Sequence, residues 1–303
     1  MSYFHLNLIL KGKLTVCCLL MLSVIPLNAQ REAKQIGDFK ESISLNEHLR
    51  GTKRTLQYRP DGDEFVCVNG KNRYTRALYG SHSPFRVETS DRPVFAFYNN
   101  GRGGNISFKV ILRDGTELAL DRTGYCESRY SAGKRTYYLT DPSWGKGELR
   151  ISVLALADMD GAIWRFSPSN MPKGAILRWQ HGGATGKRLS RNGDMGVDPV
   201  DCFELPAEAT DLVTGELALQ KEVYLVRGEV PEGYNVRKLY QQAEAASLAL
   251  ASHLKIETPD PYLNTLGGAL VAAADGIWDG QVWLHGAIGW RMPLSGWRAG
   301  YTG

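Results

Sequence analysis

The residues from His285 to Gly303 crowd aromatic, cationic and glycine residues together, with Trp290, Arg291, Trp297, Arg298 and Tyr301 among them. Trp and Tyr faces stack on sugar C–H surfaces or on bases, Arg supplies a planar fork of donors, and Gly lets backbone approach a ligand closely. This is the chemistry of a binding rim, with His285, Trp290, Arg291, Trp297 and Arg298 as its candidate substrate-binding residues. The alternative is a core segment of a larger domain in which Trp290 and Trp297 are buried for area alone.

Other candidate chemistry is weaker. Asp275 and Asp279 stand four residues apart, a spacing that puts two carboxylates on one helix face near its C-terminal end. Like charges there oppose each other and the helix dipole, and an ordinary solvated or capping role competes with a functional one. Glycoside cleavage needs carboxyl groups flanking the scissile bond, not two pointing the same way. The run His181-Gly182-Gly183-Ala184-Thr185-Gly186-Lys187-Arg188 follows an expected strand but fails the phosphate-loop template. His181 stands where the first glycine is required, and Arg188 stands where the magnesium-binding hydroxyl is required. None of the six histidines forms HxH, HExxH or a pair with cysteine, so neither a metal site nor a cofactor is expected. A Gly-x-Ser-x-Gly nucleophile elbow is also missing from the sequence.

The elements that must position such residues fall into two regions. From Thr55 to Arg227, short β-branched and aromatic runs are cut by Gly, Pro, Asn and Asp, which predicts strands joined by turns. Phe65-Val66-Cys67-Val68 before Asn69-Gly70 predicts a hairpin with a type I′ turn. Further strands are expected at 94–98, 106–112, 149–156, 162–166, 175–180, 215–220 and 223–227. Eight or more strands without intervening helices indicate an antiparallel sandwich. After Pro231 the pattern changes to helix. The run Val236–Leu254 contains neither Gly nor Pro and repeats Leu239, Ala243, Ala246, Leu250 and Leu254 near a 3.6 period. A second helix is expected from Tyr262 to Trp278, with Leu263, Leu266, Leu270, Ala274 and Ile277 on one side and Asp260-Pro261 as its N-cap and first position.

Bulk composition frames this reading. At 303 residues, 43% apolar and 22% charged, the chain can bury a sizeable core. Lys11 and Lys13 precede an apolar run from Leu14 to Leu27 that is shorter than the ~20 residues a membrane helix needs. With Ala29 at the cleavage position, residues 1–29 read as a secretory signal peptide, which predicts a secreted or periplasmic product with no stable membrane anchor after cleavage. Removing Lys11 and Lys13 leaves 34 basic against 32 acidic residues, a balance of +2 that is no nucleic-acid signature. Cys67, Cys126 and Cys202 are too widely spaced for a metal or redox motif and read as small buried hydrophobes.

The blocks Asp260-Pro261-Tyr262-Leu263-Asn264, Ala273-Ala274-Asp275-Gly276-Ile277-Trp278-Asp279, His285-Gly286-Ala287 and Trp290–Arg298 together resemble the opening of the helical barrel in six-hairpin glycosidase-like proteins. The sequence is similar in particular to large secreted bacterial proteins in which a β-sandwich and a linker helix precede an (α/α)6 catalytic barrel. Arg178-Trp179-Gln180-His181-Gly182-Gly183 and Gly186-Lys187-Arg188 look like part of that sandwich. The resemblance implies a mainly β chain: after a leader or edge segment over 30–54, a β-sandwich over 55–230, a linker helix over 231–259, and over 260–303 the first helix of an incomplete, truncated α/α barrel. It implies carbohydrate as the partner, with His285, Trp290, Arg291, Trp297 and Arg298 in the first barrel loop facing the substrate cleft. The catalytic carboxylates are expected on later helices, so the chain is expected to be a fragment that does not catalyse alone. The alternative expectation is a self-sufficient carbohydrate-binding or structural β-sandwich.

Overall fold

A computed structural model describes residues 57–99, 102–183, 212–284 and Pro293. The first strands are β1 (Arg59–Asp61), β2 (Glu64–Val68), β3 (Arg76–Leu78), β4 (Arg86–Thr89), β5 (Phe95–Asn99), β6 (Arg102–Ile111) and β7 (Glu117–Ala119). They are followed by β8 (Tyr125–Ser131), β9 (Lys134–Thr140), β10 (Glu148–Ala155), β11 (Gly161–Ser169), β12 (Ile176–Gly183), β13 (Val213–Ala218) and β14 (Val223–Gly228). Helices α1 (Val236–Ala251) and α2 (Pro261–Gly276) follow the strands. One seven-stranded sheet runs β1-β2-β8-β9-β10-β11-β14, and the other runs β13-β12-β6-β5-β4-β3 with β7 also paired to β6. Every strand pair is antiparallel. The expected mainly β antiparallel sandwich followed by helices is the fold.

Period-2 alternation makes the core. Ile106, Phe108 and Val110 of β6 are buried, whereas Lys109 between them is exposed. The two sheets meet through aromatic rings: Trp164 of β11 lies 5.6 Å from Phe95 and 5.6 Å from Phe97 of β5, in edge-on geometry that favours ring quadrupoles. β10 departs from alternation, and the reason is tertiary. Leu154, Leu156 and Ile163 project from the outer face of their sheet and are covered by Leu239, Tyr240 and Ala243 of α1. A strand covered on both faces reads as a continuous apolar run.

Three expectations need correction. Asn69-Gly70 does not turn a hairpin, because β2 pairs with β8 in one sheet while β3 pairs with β4 in the other. The dipeptide starts a crossing between sheets: Asn69 has φ 50° and is bonded N–H to Cys126 O at 2.8 Å. Gly70 is needed for space, since a Cβ there would lie 2.4 Å from Asp91 Oδ2 and 2.6 Å from Cys67 Sγ. The second correction concerns α1, which ends at Ala251, so Leu254 lies beyond it and is exposed. The third concerns α2, which ends at Gly276 and not at Trp278.

Two leucines of the stripe lie on the exposed side of α2. Leu263 and Leu270 are 45% and 46% exposed, while Thr265, Gly267, Ala272 and Gly276 are buried. Small residues win the inner face because the helix lies too close for anything larger. A Cβ on Gly276 would stand 2.3 Å from Tyr79 Cδ2, and one on Gly267 would stand 2.8 Å from Leu254 O. The N-terminal expectation holds: Asp260 caps α2 by accepting from Tyr262 N–H at 2.9 Å, with Pro261 first in the helix.

Candidate functional site

The expected rim residues His285, Trp290, Arg291, Trp297 and Arg298 lie outside the described residues. Just before them the chain leaves α2 through a short reversal. Trp278 bridges Trp283 with ring centroids 4.5 Å apart, and Asp279 Oδ1 accepts from Gln281 N–H and Val282 N–H at 3.0 and 2.8 Å. Asp279 is thus a turn residue, and Asp275 and Asp279 do not share a helix face. Asp275 instead meets His82 Nε2 at 3.1 Å across the junction of α2 with the sandwich.

A groove of about 810 Å³ is open on the outer face of the β6 sheet. Its floor is Asn105, Ser107 and Lys109 of β6 with Gln180 of β12, where Gln180 pairs directly with Ser107. Those side chains face outward because their neighbours Ile106 and Phe108 face the core. One wall is the crossing segment Lys71-Asn72-Arg73, the end wall is Ser90 with the turn Arg92-Pro93-Val94, and the far wall is Asp121-Arg122-Thr123. Among the described residues five cations, Lys71, Arg73, Arg92, Lys109 and Arg122, line it against one carboxylate, Asp121. No sequence run announced this, because the cations come singly from segments far apart in the chain and only strand pairing brings them together.

The walls are held by a buried polar network. Asp91 is fully buried and accepts from Gln57 Nε2 at 3.0 Å, Asn72 N–H at 2.9 Å, Thr75 Oγ1 at 3.3 Å and the Tyr58 hydroxyl. Asp91 N–H in turn donates to Asn72 O at 2.9 Å, tying the Lys71–Arg73 wall to the end wall. Arg135, also fully buried, places Nη2 3.6 Å from Asp91 Oδ1 and donates to Ser128 Oγ at 3.0 Å and Ser90 O at 3.2 Å. Tyr137 O–H donates to the same Ser90 carbonyl at 2.8 Å, and burial pushes its phenol above the ordinary range. The rings of Tyr58 and Tyr137 lie 5.9 and 5.7 Å from the Arg135 guanidinium, which eases the cost of burying its charge. Arg76 packs beside this cation, and burial together with the Arg135 charge lowers its pKa.

A second, smaller cleft of about 230 Å³ separates the sandwich from the helices. Tyr79, His82 and Tyr130 line one side, and Ala243, Ser247, Ala272 and Asp275 line the other. Ser247 Oγ donates to Ala132 O at 2.5 Å, and burial raises the Tyr79 phenol to about 12. This cleft is mostly a helix-docking seam. Among the described residues no group of three or more His, Cys, Asp or Glu side chains is placed to hold a metal ion. No described helix is long and apolar enough to cross a membrane.

Fold and groove together define a two-sheet antiparallel sandwich with a cationic surface groove and a docked helix pair. Residues 100–230 are similar to a family described as a domain of unknown function, DUF4450. That segment carries the sandwich from β6 to β14, hence the groove floor and its far wall, while the walls at Lys71–Arg73 and Ser90–Val94 precede it. The family description names no activity and draws no link to glycosidases. No match was found among curated proteins.

Proposed function

We propose that this chain provides the non-catalytic sandwich portion of a secreted glycoside hydrolase-like protein acting on poly- or oligosaccharides. The observation that carries the reading is the inverted helix α2. A helix that merely capped a sandwich would turn Leu263 and Leu270 inward and its small residues to water, because buried apolar area drives docking. Here Leu263 and Leu270 face out while Gly267 and Gly276 face in. A helix disposed in this way is ready to be covered by a further helical layer, as the first helix of an (α/α)6 barrel would be. On this reading His285, Trp290, Arg291, Trp297 and Arg298 form the first rim of the barrel cleft, and the product is secreted or periplasmic with its mature N-terminus at Gln30.

A second reading, carbohydrate binding by the sandwich itself, is favoured by the groove, whose Asn105, Ser107 and Gln180 floor suits sugar hydroxyls. Both readings are tested with the intact chain on a panel of plant and bacterial polysaccharides. Binding without release of reducing ends is the expected result, and Trp290→Ala with Trp297→Ala should weaken binding where the rim takes part. Release of reducing ends by this chain alone overturns the non-catalytic assignment. The α2 argument has its own readout: a dye that reports exposed apolar surface should bind the native chain and lose its signal on Leu263→Lys with Leu270→Lys. An unchanged signal sinks it.

A further inference from the structure

Resting on the reading that the groove holds carbohydrate, we propose that it selects glycans bearing carboxylate or sulfate groups, with Arg92 as the fixed cation against which such a group docks. The lining cations are unequally compensated. Lys109 stands 3.5 Å from Glu117, and Arg122 stands 3.5 Å from Asp121. Lys71 and Arg92 make no ion pair among the described residues, although both line the groove.

Arg92 is held without being neutralised. Its Nη1 donates to Asp121 O at 3.2 Å and Thr123 O at 2.8 Å, and its Nη2 donates to Asn69 Oδ1 at 3.3 Å. All three acceptors are uncharged, so the guanidinium keeps its full positive field. Those bonds leave Nε and one Nη2 hydrogen without a protein acceptor among the described residues, donors that a carboxylate or sulfate group can accept from. Asn69 is itself anchored, since its Oδ1 also accepts from Cys126 N–H at 2.9 Å. The cation is therefore in place before any ligand arrives, and binding costs little ordering of the side chain.

The class of ligand follows from what the groove lacks as well. Among the described residues its one aromatic lining residue, Phe108, is 2% exposed and belongs to the core. Neutral sugars and single-stranded nucleic acids are recognised largely on exposed aromatic faces, on which rings or bases stack. A cationic groove with amide and hydroxyl groups on its floor and, among the described residues, no exposed ring to stack on favours an acidic sugar chain over either.

The test uses the intact chain and four polymers: polygalacturonate, a sulfated galactan, carboxyl-reduced polygalacturonate, and single-stranded DNA as a charge-matched polyanion. Affinity for at least one acidic glycan should exceed that for the reduced polymer by roughly tenfold and should fall as salt is raised to about 1 M. Lys71→Gln with Arg122→Gln, both exposed, should weaken that binding by roughly tenfold with an unchanged melting temperature. Arg92→Lys keeps the charge but loses the fork, and should weaken binding of the preferred acidic glycan by roughly tenfold while leaving binding of the carboxyl-reduced polymer unchanged; undiminished acidic-glycan binding overturns Arg92 as the docking cation. Preference for polygalacturonate identifies the carboxylate as the ligand group, and preference for the galactan identifies the sulfate. Equal binding of the reduced polymer overturns the selectivity while leaving carbohydrate binding intact. Equal or tighter binding of DNA overturns it in favour of a general polyanion surface. No binding to any polymer by the folded chain removes both the selectivity and the carbohydrate reading of the groove.

Discussion

Asp91 and Arg135 form a charged pair behind the groove walls. Both are fully buried, and together they join the two walls that flank the groove. Removing one charge of a buried pair leaves the other uncompensated, which costs about 3–5 kcal/mol, whereas removing both is far milder. Asp91→Asn should therefore lower the denaturation midpoint steeply, and adding Arg135→Met should recover much of the loss in urea melts. If the double variant is no more stable than Asp91→Asn alone, the pair is not the source of the effect. Neither residue stands out in the sequence, because Asp91 beside Arg92 looks like a solvated turn until pairing of β4 with β5 buries it, and Arg135 stands 44 residues further along. Gly70 was legible as a special position but for the wrong reason. Its lack of a side chain answers to Asp91, which stands 21 residues further along the chain.

At the level of elements, helix existence was readable and helix orientation was not. Uninterrupted helix formers predicted α1, and Asp260-Pro261 predicted the start of α2. Hydrophobicity alone does not say which face of α2 docks, because proximity is decisive. Tyr79 presses its ring onto Gly276, so only glycine fits. Gly276→Ala should push the C-terminal turn of α2 off the sandwich at a cost of about 1–3 kcal/mol. Hydrogen exchange checks this: protection should fall in α2 and hold in β9, β10 and β11. Uniform loss across the sandwich would show that α2 does not open as a separate unit. The hairpin of β8 and β9 was missed for a related reason. The buried positions of β8 are Cys126, Ser128 and Tyr130, which do not stand out as an apolar alternation.

At the scale of the whole molecule, buried acids set an alkaline limit on stability. Burial pushes the Cys126 thiol from its ordinary 9.0 up to about 12, and it raises the Tyr79 and Tyr240 phenols from 10.0 to about 12. Tyr130 and Tyr137 are raised in the same direction by the same cause. The native state keeps these protons where the unfolded chain has lost them. Their contribution to stability is complete below about pH 9 and is lost as pH rises toward 12. Unfolding free energy measured in urea should decline across that interval. Of the 14 tyrosines, a fraction should ionise only as near-ultraviolet dichroism collapses. A single smooth phenol titration near pH 10 with dichroism intact would contradict the burial described here. Alkylation offers a parallel measure, since Cys67 and Cys126 are buried free thiols and should label only on unfolding.

The sequence by itself determined the class of fold, most strand positions, the two helices and the cap of the second. Each of these is written in a short window of neighbouring residues as a period, a turn dipeptide or a capping pair. It did not determine the groove, the buried pair of Asp91 and Arg135 or the outward leucines of α2. Those depend on which distant segments the sheets bring side by side. Lys71, Arg92 and Arg122 become one surface only because β6 pairs with β5 and the flanking turns fold over its outer face, and no local pattern records that convergence.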